Sequence, residues 1–200
     1  MLSTVANTDP DTPAKTKSYL NIATQELERV AHITRKTLAF HRENNTSKTV
    51  DLRQSIDSAL RIFAPRLEWK GIVVEKRYAE VEPIQSFGGE MEQVISNLLT
   101  NSLDAIQDGG EIKVRLSRSR NGNGFRTVRL SIADTGSGIP QHQLRNIFEP
   151  FYTTKEAVGT GLGLWVSKQI VEKHGATIRV RSKVGVGTVF SIAFPVANET

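Results

Sequence analysis

A glycine-rich tract between a strand pattern and a helix pattern constrains the fold of this chain more than any other feature. The tract begins at Asp134-Thr135-Gly136-Ser137-Gly138, after alternating apolar residues that predict a strand, and ends at Gly159-Thr160-Gly161-Leu162-Gly163, before an apolar helix pattern. Glycine adopts backbone conformations that other residues avoid, so such tracts form tight turns or approach a ligand closely. The tract therefore predicts an α/β domain with a binding site where strand and helix meet.

Helix and strand patterns alternate on both sides of the tract. Three helices are predicted in this region. The first begins at a cap near Asp51 and ends before Pro65, and the other two span 89–106 and 164–174. The predicted strands span 49–52, 71–75, 111–117, 127–133, 177–182 and 188–194. Asn121-Gly122-Asn123-Gly124 predicts a hairpin between the third and fourth of them. This order predicts an α/β two-layer sandwich, in which a mixed sheet packs on helices.

A long helical pattern, from about residue 14 to residue 44, precedes the predicted sandwich. Its apolar seam has alternating spacings of four and three, which is a heptad pattern, and consists of Leu20, Thr24, Leu27, Ala31, Thr34, Leu38 and His41. At ~1.5 Å per residue such a helix is roughly 45 Å long, longer than a small domain. We therefore expect a coiled-coil-type helix that packs on another helix or a second subunit; a surface helix docked on its own domain is the alternative.

Composition excludes several classes of protein. The chain has no cysteine, which excludes disulfides, thiolate zinc sites and cysteine catalysis and is compatible with the cytoplasm. It has neither an apolar run of the ~18–20 residues that a membrane span needs nor a secretory signal, so we expect no membrane contact. The net charge is +5, but the charges are scattered, and the basic stretch 113–129 alternates with apolar residues. A solvated sheet face explains that stretch better than nucleic-acid binding does, and we expect no nucleic-acid partner.

Four short segments carry residues suited to chemistry, and each alone has a plainer explanation. Asn97 and Asn101 lie four apart on one helical face, where amide oxygens can ligate Mg²⁺ or can serve as caps. Asp134 ends a strand and can accept a hydrogen bond from an exocyclic amine such as that of adenine, or can form an Asx turn. In Phe148-Glu149-Pro150-Phe151-Tyr152-Thr153-Thr154-Lys155, aromatic residues indicate a lid base and Lys155 a phosphate contact, or a pinned surface loop.

The fourth segment, Gly159-Thr160-Gly161-Leu162-Gly163-Leu164, opens a helix. Free amides and the positive end of the helix dipole favour an anion there. The spacing matches neither a dinucleotide fingerprint nor a Walker A loop, so alone it is weak evidence.

Together, in this order, the four segments resemble the N, G1, F and G2 boxes of the histidine-kinase ATP-binding domain, a member of the gyrase–chaperone–kinase–MutL superfamily. The resemblance covers about 46–195 and implies a Bergerat ATP-binding fold over 46–200. The helix at 19–43 resembles the second helix of the dimerisation and histidine-phosphotransfer domain, so 1–45 is expected to be part of that domain, with a homodimer formed through this segment.

The resemblance implies a role for each matching residue. Asn101 would hold Mg²⁺ beside Asn97, Asp134 would accept from the adenine amine, and Thr188 would lie near the adenine. Lys155 would face the phosphates, and Phe151 would join Ile139 and Phe148 in an apolar wall and lid base. The remaining implied nucleotide contacts are Gly136, Gly138, Gly159, Thr160, Gly161, Leu162, Gly163 and Leu164.

The resemblance further implies the catalytic core of a cytoplasmic sensor histidine kinase. Such a core transfers the γ-phosphoryl group of Mg-ATP to a histidine, for relay to the receiver domain of a response regulator. The acceptor box reads roughly His-Glu-x-Asn-Asn-Pro, and none of His32, His41, His142 and His174 fits it. We therefore expect the acceptor helix upstream of Met1 and no autophosphorylation by this chain alone.

Two alternatives remain open. Chaperone and mismatch-repair ATPases place a glutamate, as a base for water, where this chain has Asn97. An amide cannot take that proton, which favours the kinase. The second alternative is a regulatory nucleotide-binding module of the same superfamily that transfers no phosphoryl group.

Overall fold

The computed structural model describes residues 47–87, 89–120, 122, 124–154 and 160–196. It contains helices α1 (Leu52–Trp69), α2 (Glu90–Ala105) and α3 (Gly163–Lys173). Its strands are β1 (Ser47–Val50), β2 (Val73–Tyr78), β3 (Ile84–Phe87), β4 (Glu111–Arg120), β5 (Arg126–Asp134), β6 (Thr177–Lys183) and β7 (Gly187–Pro195). The predicted long helix, its dimer seam and the boundary between 45 and 46 lie outside the described residues.

Five of the strands form one sheet in the order β2-β4-β5-β7-β6. Strands β2 and β4 run parallel, and the other neighbours run antiparallel, so the sheet is mixed. Strands β1 and β3 form a separate antiparallel pair. Strands β4 and β5 are the predicted hairpin. The predicted α/β two-layer sandwich of a mixed sheet on helices is confirmed.

Alternation along the strands places the apolar core on one face of the sheet. Buried core residues on the two central neighbours β4 and β5 are Ile112, Val114, Leu116, Val128, Leu130 and Ile132. Helix α2 supplies the opposing layer with Met91, Val94, Ile95, Leu98, Leu99 and Leu103, all almost completely buried. Each such side chain contributes about 1.5–3 kcal/mol through burial. This anchoring fixes the positions of the polar residues that α2 carries at its edge.

Helix α1 differs from its prediction at its C-terminus. Asp51 is the predicted cap and accepts a hydrogen bond from the amide of Arg53 at 2.8 Å. The predicted end before Pro65 is wrong, because the helix continues to Trp69. Pro65 removes one amide donor, but it lies on the exposed side, where water can satisfy the carbonyl left without a partner. Buried Leu67 then holds the last turn on the core.

Strand β3 has no counterpart in the sequence prediction. It is four residues long and follows Pro83, so it lacks the alternation that identifies longer strands. The strands of the large sheet were predicted in place, with ends displaced by at most three residues. In the part of the chain described by the structure, no helix combines the length and apolarity of a membrane span.

Candidate functional site

The carboxylate of Asp134 lies at the end of β5 and is only 7% exposed. Its Oδ1 accepts from the amides of Gly136, at 3.0 Å, and Thr188, at 3.2 Å. Its Oδ2 accepts from the hydroxyl of Ser102 on α2, at 3.2 Å. A carboxylate has about four acceptor positions, so these three bonds leave one on Oδ2. The fold thus fixes the side chain and retains one position for an external donor.

Burial raises the pKa of Asp134 above its ordinary value. The hydrogen bonds from Gly136, Ser102 and Thr188 act in the opposite direction but do not outweigh that desolvation. A buried carboxylate whose pKa is shifted in this way is a candidate functional group.

Three glycines surround Asp134 at positions that no larger residue fits. A Cβ at Gly136 would lie 2.6 Å from the Cβ of Ala105, at the end of α2. At Gly138, with φ +73°, a Cβ would overlap the carbonyl oxygen of Lys183. A Cβ at Gly187, with φ +136°, would overlap the backbone of Asp134. Gly187 was missing from the predicted site; its place beside Thr188 was the available signal.

Thr188 has a double role next to this carboxylate. Its amide bonds Asp134, and its hydroxyl pairs with the Ser182 hydroxyl at 2.9 Å. Ser182 also accepts from the amide of Ile139 at 2.7 Å. Sequence reasoning missed Ser182 and Ser102, since isolated serines carry no motif.

The two asparagines of α2 have different environments. The amide nitrogen of Asn97 donates to the carbonyl of Gly163, at 3.0 Å, and to the hydroxyl of Ser167, at 3.1 Å. Asn97 therefore ties α2 to the start of α3. Asn101, one turn later, is half-buried, and its side chain has no hydrogen bond to any other described residue. The amide nitrogen of Asn97 is thus engaged by α3, while its oxygen and the whole side-chain amide of Asn101 have no hydrogen-bond partner among the described residues.

Helix α3 presents its N-terminus close to this tie. Leu162 precedes it, is buried, and caps no amide with its side chain. The amides of Gly163 and Leu164 belong to the first turn and have no helical acceptor. Thr160, just before, is half-buried. The predicted phosphate contacts Lys155 and Gly159 lie outside the described residues.

Phe151 and Gly161 bring the two described ends of the predicted lid together. Both adopt left-handed backbone conformations, with φ of 65°. A Cβ at Gly161 would overlap the backbone of Phe151. The Phe151 side chain is 65% exposed. The ring of Phe148 packs edge-on against the ring of Phe190, with centroids 6.5 Å apart. Ile139, in the turn after Asp134, is half-buried.

The four predicted segments meet around α2. Ser102 and Ala105 contact the Asp134 and Gly136 segment, and Asn97 contacts the Gly163 segment. The segment with Phe151 joins the group through Gly161.

Neither described histidine belongs to this group. His174 is the C-cap of α3, and its Nδ1 donates to the carbonyl of Ile170 at 2.8 Å, while His142 is exposed in a loop. His32 and His41 lie outside the described residues.

In this two-layer sandwich, one core helix contacts a buried carboxylate with its glycine turns and also the N-terminus of a second helix, an arrangement suited to a nucleotide-binding domain. The family model described as histidine kinase-, DNA gyrase B- and HSP90-like ATPase matches residues 89–198. The chain therefore belongs to that ATPase family.

Relatives with similar sequences include bacterial sensor kinases. Sporulation kinase A of Bacillus subtilis (strain 168) is 33% identical over 88% of this chain and 29% of its own length. Sensor histidine kinase ZraS of Escherichia coli (strain K12) is 34% identical over 88% of this chain and 37% of its own. The chain thus spans less than half the length of these relatives.

Solved structures agree with the fold. The catalytic domain of histidine kinase ThkA has a TM-score of 0.66 at 27% identity and covers 75% of this chain and 95% of that domain. ThkA in complex with response regulator protein TrrA has a TM-score of 0.68 at 25% identity, over 97% of this chain and 55% of that one.

Proposed function

We propose that this chain is the catalytic core of a sensor histidine kinase, which binds Mg-ATP and transfers its γ-phosphoryl group to a histidine. One observation carries the proposal: segments far apart in sequence meet on α2 around Asp134, through Ser102, Asn97 and Gly163. A core helix that contacts both the carboxylate and the start of α3 positions two ends of one ligand.

The residues at the β5 end fit an adenine. Asp134 has one acceptor position left after its three internal bonds, and the exocyclic amine of adenine is a suitable donor. Gly136 and Gly138 let the turn after β5 pack tightly against Ala105 and Lys183, which fixes the backbone that would lie beside the ring. Ile139, Phe148 and Thr188 supply the surrounding surface.

The residues at the α3 end fit phosphates and Mg²⁺. The first-turn amides, at Leu162, Gly163 and Leu164, favour an anion, and Thr160 and Gly161 lead into them. The oxygen of Asn101 is the hard ligand that Mg²⁺ prefers. When bound, Mg-ATP supplies the transferable phosphoryl group and a cation that offsets its charge. Lys155 and Gly159 are proposed as further phosphate contacts.

Kinase chemistry suits the site better than hydrolysis. A hydrolase needs a base that takes a proton from water, and the amide of Asn97 cannot act as one. Its nitrogen already donates hydrogen bonds to Gly163 and Ser167. The proposed role of Asn97 is therefore to position the start of α3. The acceptor histidine is supplied by another segment or chain. ThkA, whose structure includes a response regulator, supports a receiver domain as the downstream partner. A cytoplasmic homodimer is part of the same proposal.

The decisive experiment follows γ-labelled ATP with this chain. We expect ATP to bind more tightly with Mg²⁺ than with chelator, with negligible label on the protein and negligible release of phosphate. Steady phosphate release would favour a hydrolase, and acid-labile, base-stable label on the chain would place the acceptor within it. Absence of nucleotide binding would overturn the proposal altogether.

A further inference from the structure

The face of the large sheet that points away from the helices is basic, and a short stretch at its centre, which ends at Arg129 on β5, carries uncharged residues. Its side chains alternate with the buried core residues along each strand. The strand register places them in two adjacent rows across β4, β5, β7 and β6: Lys113, Ala133, Val189 and Arg181, then Arg115, Ser131, Ser191 and Arg179. We call the central strip of Ala133, Ser131, Val189 and Ser191 the trough.

The cations beside the trough are largely without counter-charges. Arg115, Arg179 and Arg181 are exposed, and none has an ion pair with another described residue. Lys113 is the exception, with Glu111 at 3.0 Å and Glu75 at 3.5 Å. The two cations on β4 thus face the two on β6 across the neutral trough. This arrangement is complementary to a partner with acidic groups along both of its sides.

The spacing of these cations matches an α-helix. Strands β4 and β6 are three strand spacings apart, about 14 Å, whereas a helix with its side chains is about 10–12 Å across. Along a strand, Arg115 and Lys113 are about 6.7 Å apart, close to the ~6 Å between helix residues i and i+4. Arg179 and Arg181 repeat that spacing on the other side. A helix along the strands would therefore place acidic residues opposite all four cations.

The floor of the trough permits close approach. Ser131 and Ser191 hydrogen bond to each other at 3.0 Å, so each hydroxyl already has a partner when water is excluded. Neither row contains an aromatic residue, and aromatic stacking platforms are what single-stranded nucleic acid requires of a sheet.

We propose that the trough docks an acidic α-helix of a partner protein. The helix carries Asp or Glu four residues apart on both sides and small or apolar residues between them. This surface is independent of the proposed nucleotide site, because Asp134 faces the helices through Ser102.

The test uses the full chain and a fluorescent, alanine-rich helical peptide of about 18 residues with Glu along both sides. Fluorescence anisotropy compares the wild type with the double variant Arg115→Glu/Arg179→Glu, which reverses one cation on each side. A matched control, Arg61→Glu/Arg120→Glu, makes the same change in charge at exposed arginines off the trough. We expect a loss of at least about tenfold for the first variant and less than about threefold for the control.

Two further measurements, one with a variant that blocks the trough and one with a competing ligand, identify the class of partner. Ser131→Trp keeps the charge, fills the trough and is expected to weaken peptide binding at least about fivefold. Equal losses in the trough and control variants would mean diffuse attraction and overturn the proposal, as would absence of peptide binding. Duplex DNA that competes fully and is insensitive to Ser131→Trp would identify a nucleic-acid surface instead. Should Ser131→Trp fail to fold, the paired charge reversals still decide.

Discussion

The β5 side of the site, around Asp134, and the α3 side, around Gly161, are built differently. On the β5 side the carboxylate has three internal donors and lies between paired strands. On the α3 side, the side-chain tie is Asn97, and Phe151 and Gly161 both adopt left-handed conformations. The contrast indicates that one half of the site is fixed by the fold, while the other depends on a few local contacts.

The largest effect is expected where the β5 side is most crowded. Gly187→Ala would force a Cβ against the Asp134 backbone at a φ of +136°, at a combined cost of about 2–6 kcal/mol. The control Gly185→Ala, in the same turn, has φ +73° and nothing within 4 Å, so strain alone should cost about 1–2 kcal/mol. Urea denaturation of both variants measures the difference. Equal costs would show that the strands move apart easily and would remove the contrast between the two sides.

The second effect separates binding from stability at Asp134. In Asp134→Asn, the amide oxygen can still accept from Gly136 and Thr188, while its nitrogen faces Ser102 and no longer accepts from an adenine amine. We expect ATP affinity to fall at least about tenfold, the loss typical of a hydrogen bond to a charged group. Calorimetric titration with ATP measures it, and unchanged affinity would refute the adenine assignment.

Stability of the same variant should change in the opposite direction. Because folding raises the pKa of Asp134, the folded state binds the proton more tightly than the unfolded one. The stability that the protonated carboxyl gives the wild type is therefore lost as pH rises from below the ordinary pKa of 3.8 to above the raised pKa. Asp134→Asn should gain stability relative to the wild type over that window. Denaturation at a series of pH values tests the sign, and a relative loss of stability would show that the charge is stabilising.

The same contrast explains what the sequence could predict. Strands β4, β5 and β7 follow from their long alternating patterns, and Asp134 follows from its place at a strand end, whereas the order of the strands in the sheet was not predicted. The use made of Asn97 could not be predicted, because an asparagine at a helix edge suits a metal ligand and a helix tie equally, and only the approach of Gly163 decides. Gly187 and Ser102 were missed for the same reason, since their partners are distant in sequence.

The third effect divides the two asparagines of α2. Asn97→Ala removes both bonds to α3 and should cost about 1–2 kcal/mol, whereas Asn101→Ala should stay within about 0.5 kcal/mol of the wild type. Only Asn101→Ala should abolish the gain in ATP affinity that Mg²⁺ gives. Denaturation and titration with and without Mg²⁺ test both halves. If Mg²⁺ still raises the ATP affinity of Asn101→Ala, the metal is held by a residue other than Asn101.

The smallest effect concerns the strained residue on the α3 side. Phe151 holds a left-handed conformation that costs a residue with a side chain about 1–2 kcal/mol, and glycine would remove this strain at an entropic cost of about 0.5–1 kcal/mol. Phe151→Gly should therefore stabilise the fold by about 0.5 kcal/mol in urea denaturation. Phe151→Ala is the matched control: it keeps the strain and removes a ring that is 65% exposed, so little change is expected. If Phe151→Ala loses more than about 1 kcal/mol, the ring stabilises the fold through contacts, and the α3 side is held by side-chain packing as firmly as the β5 side.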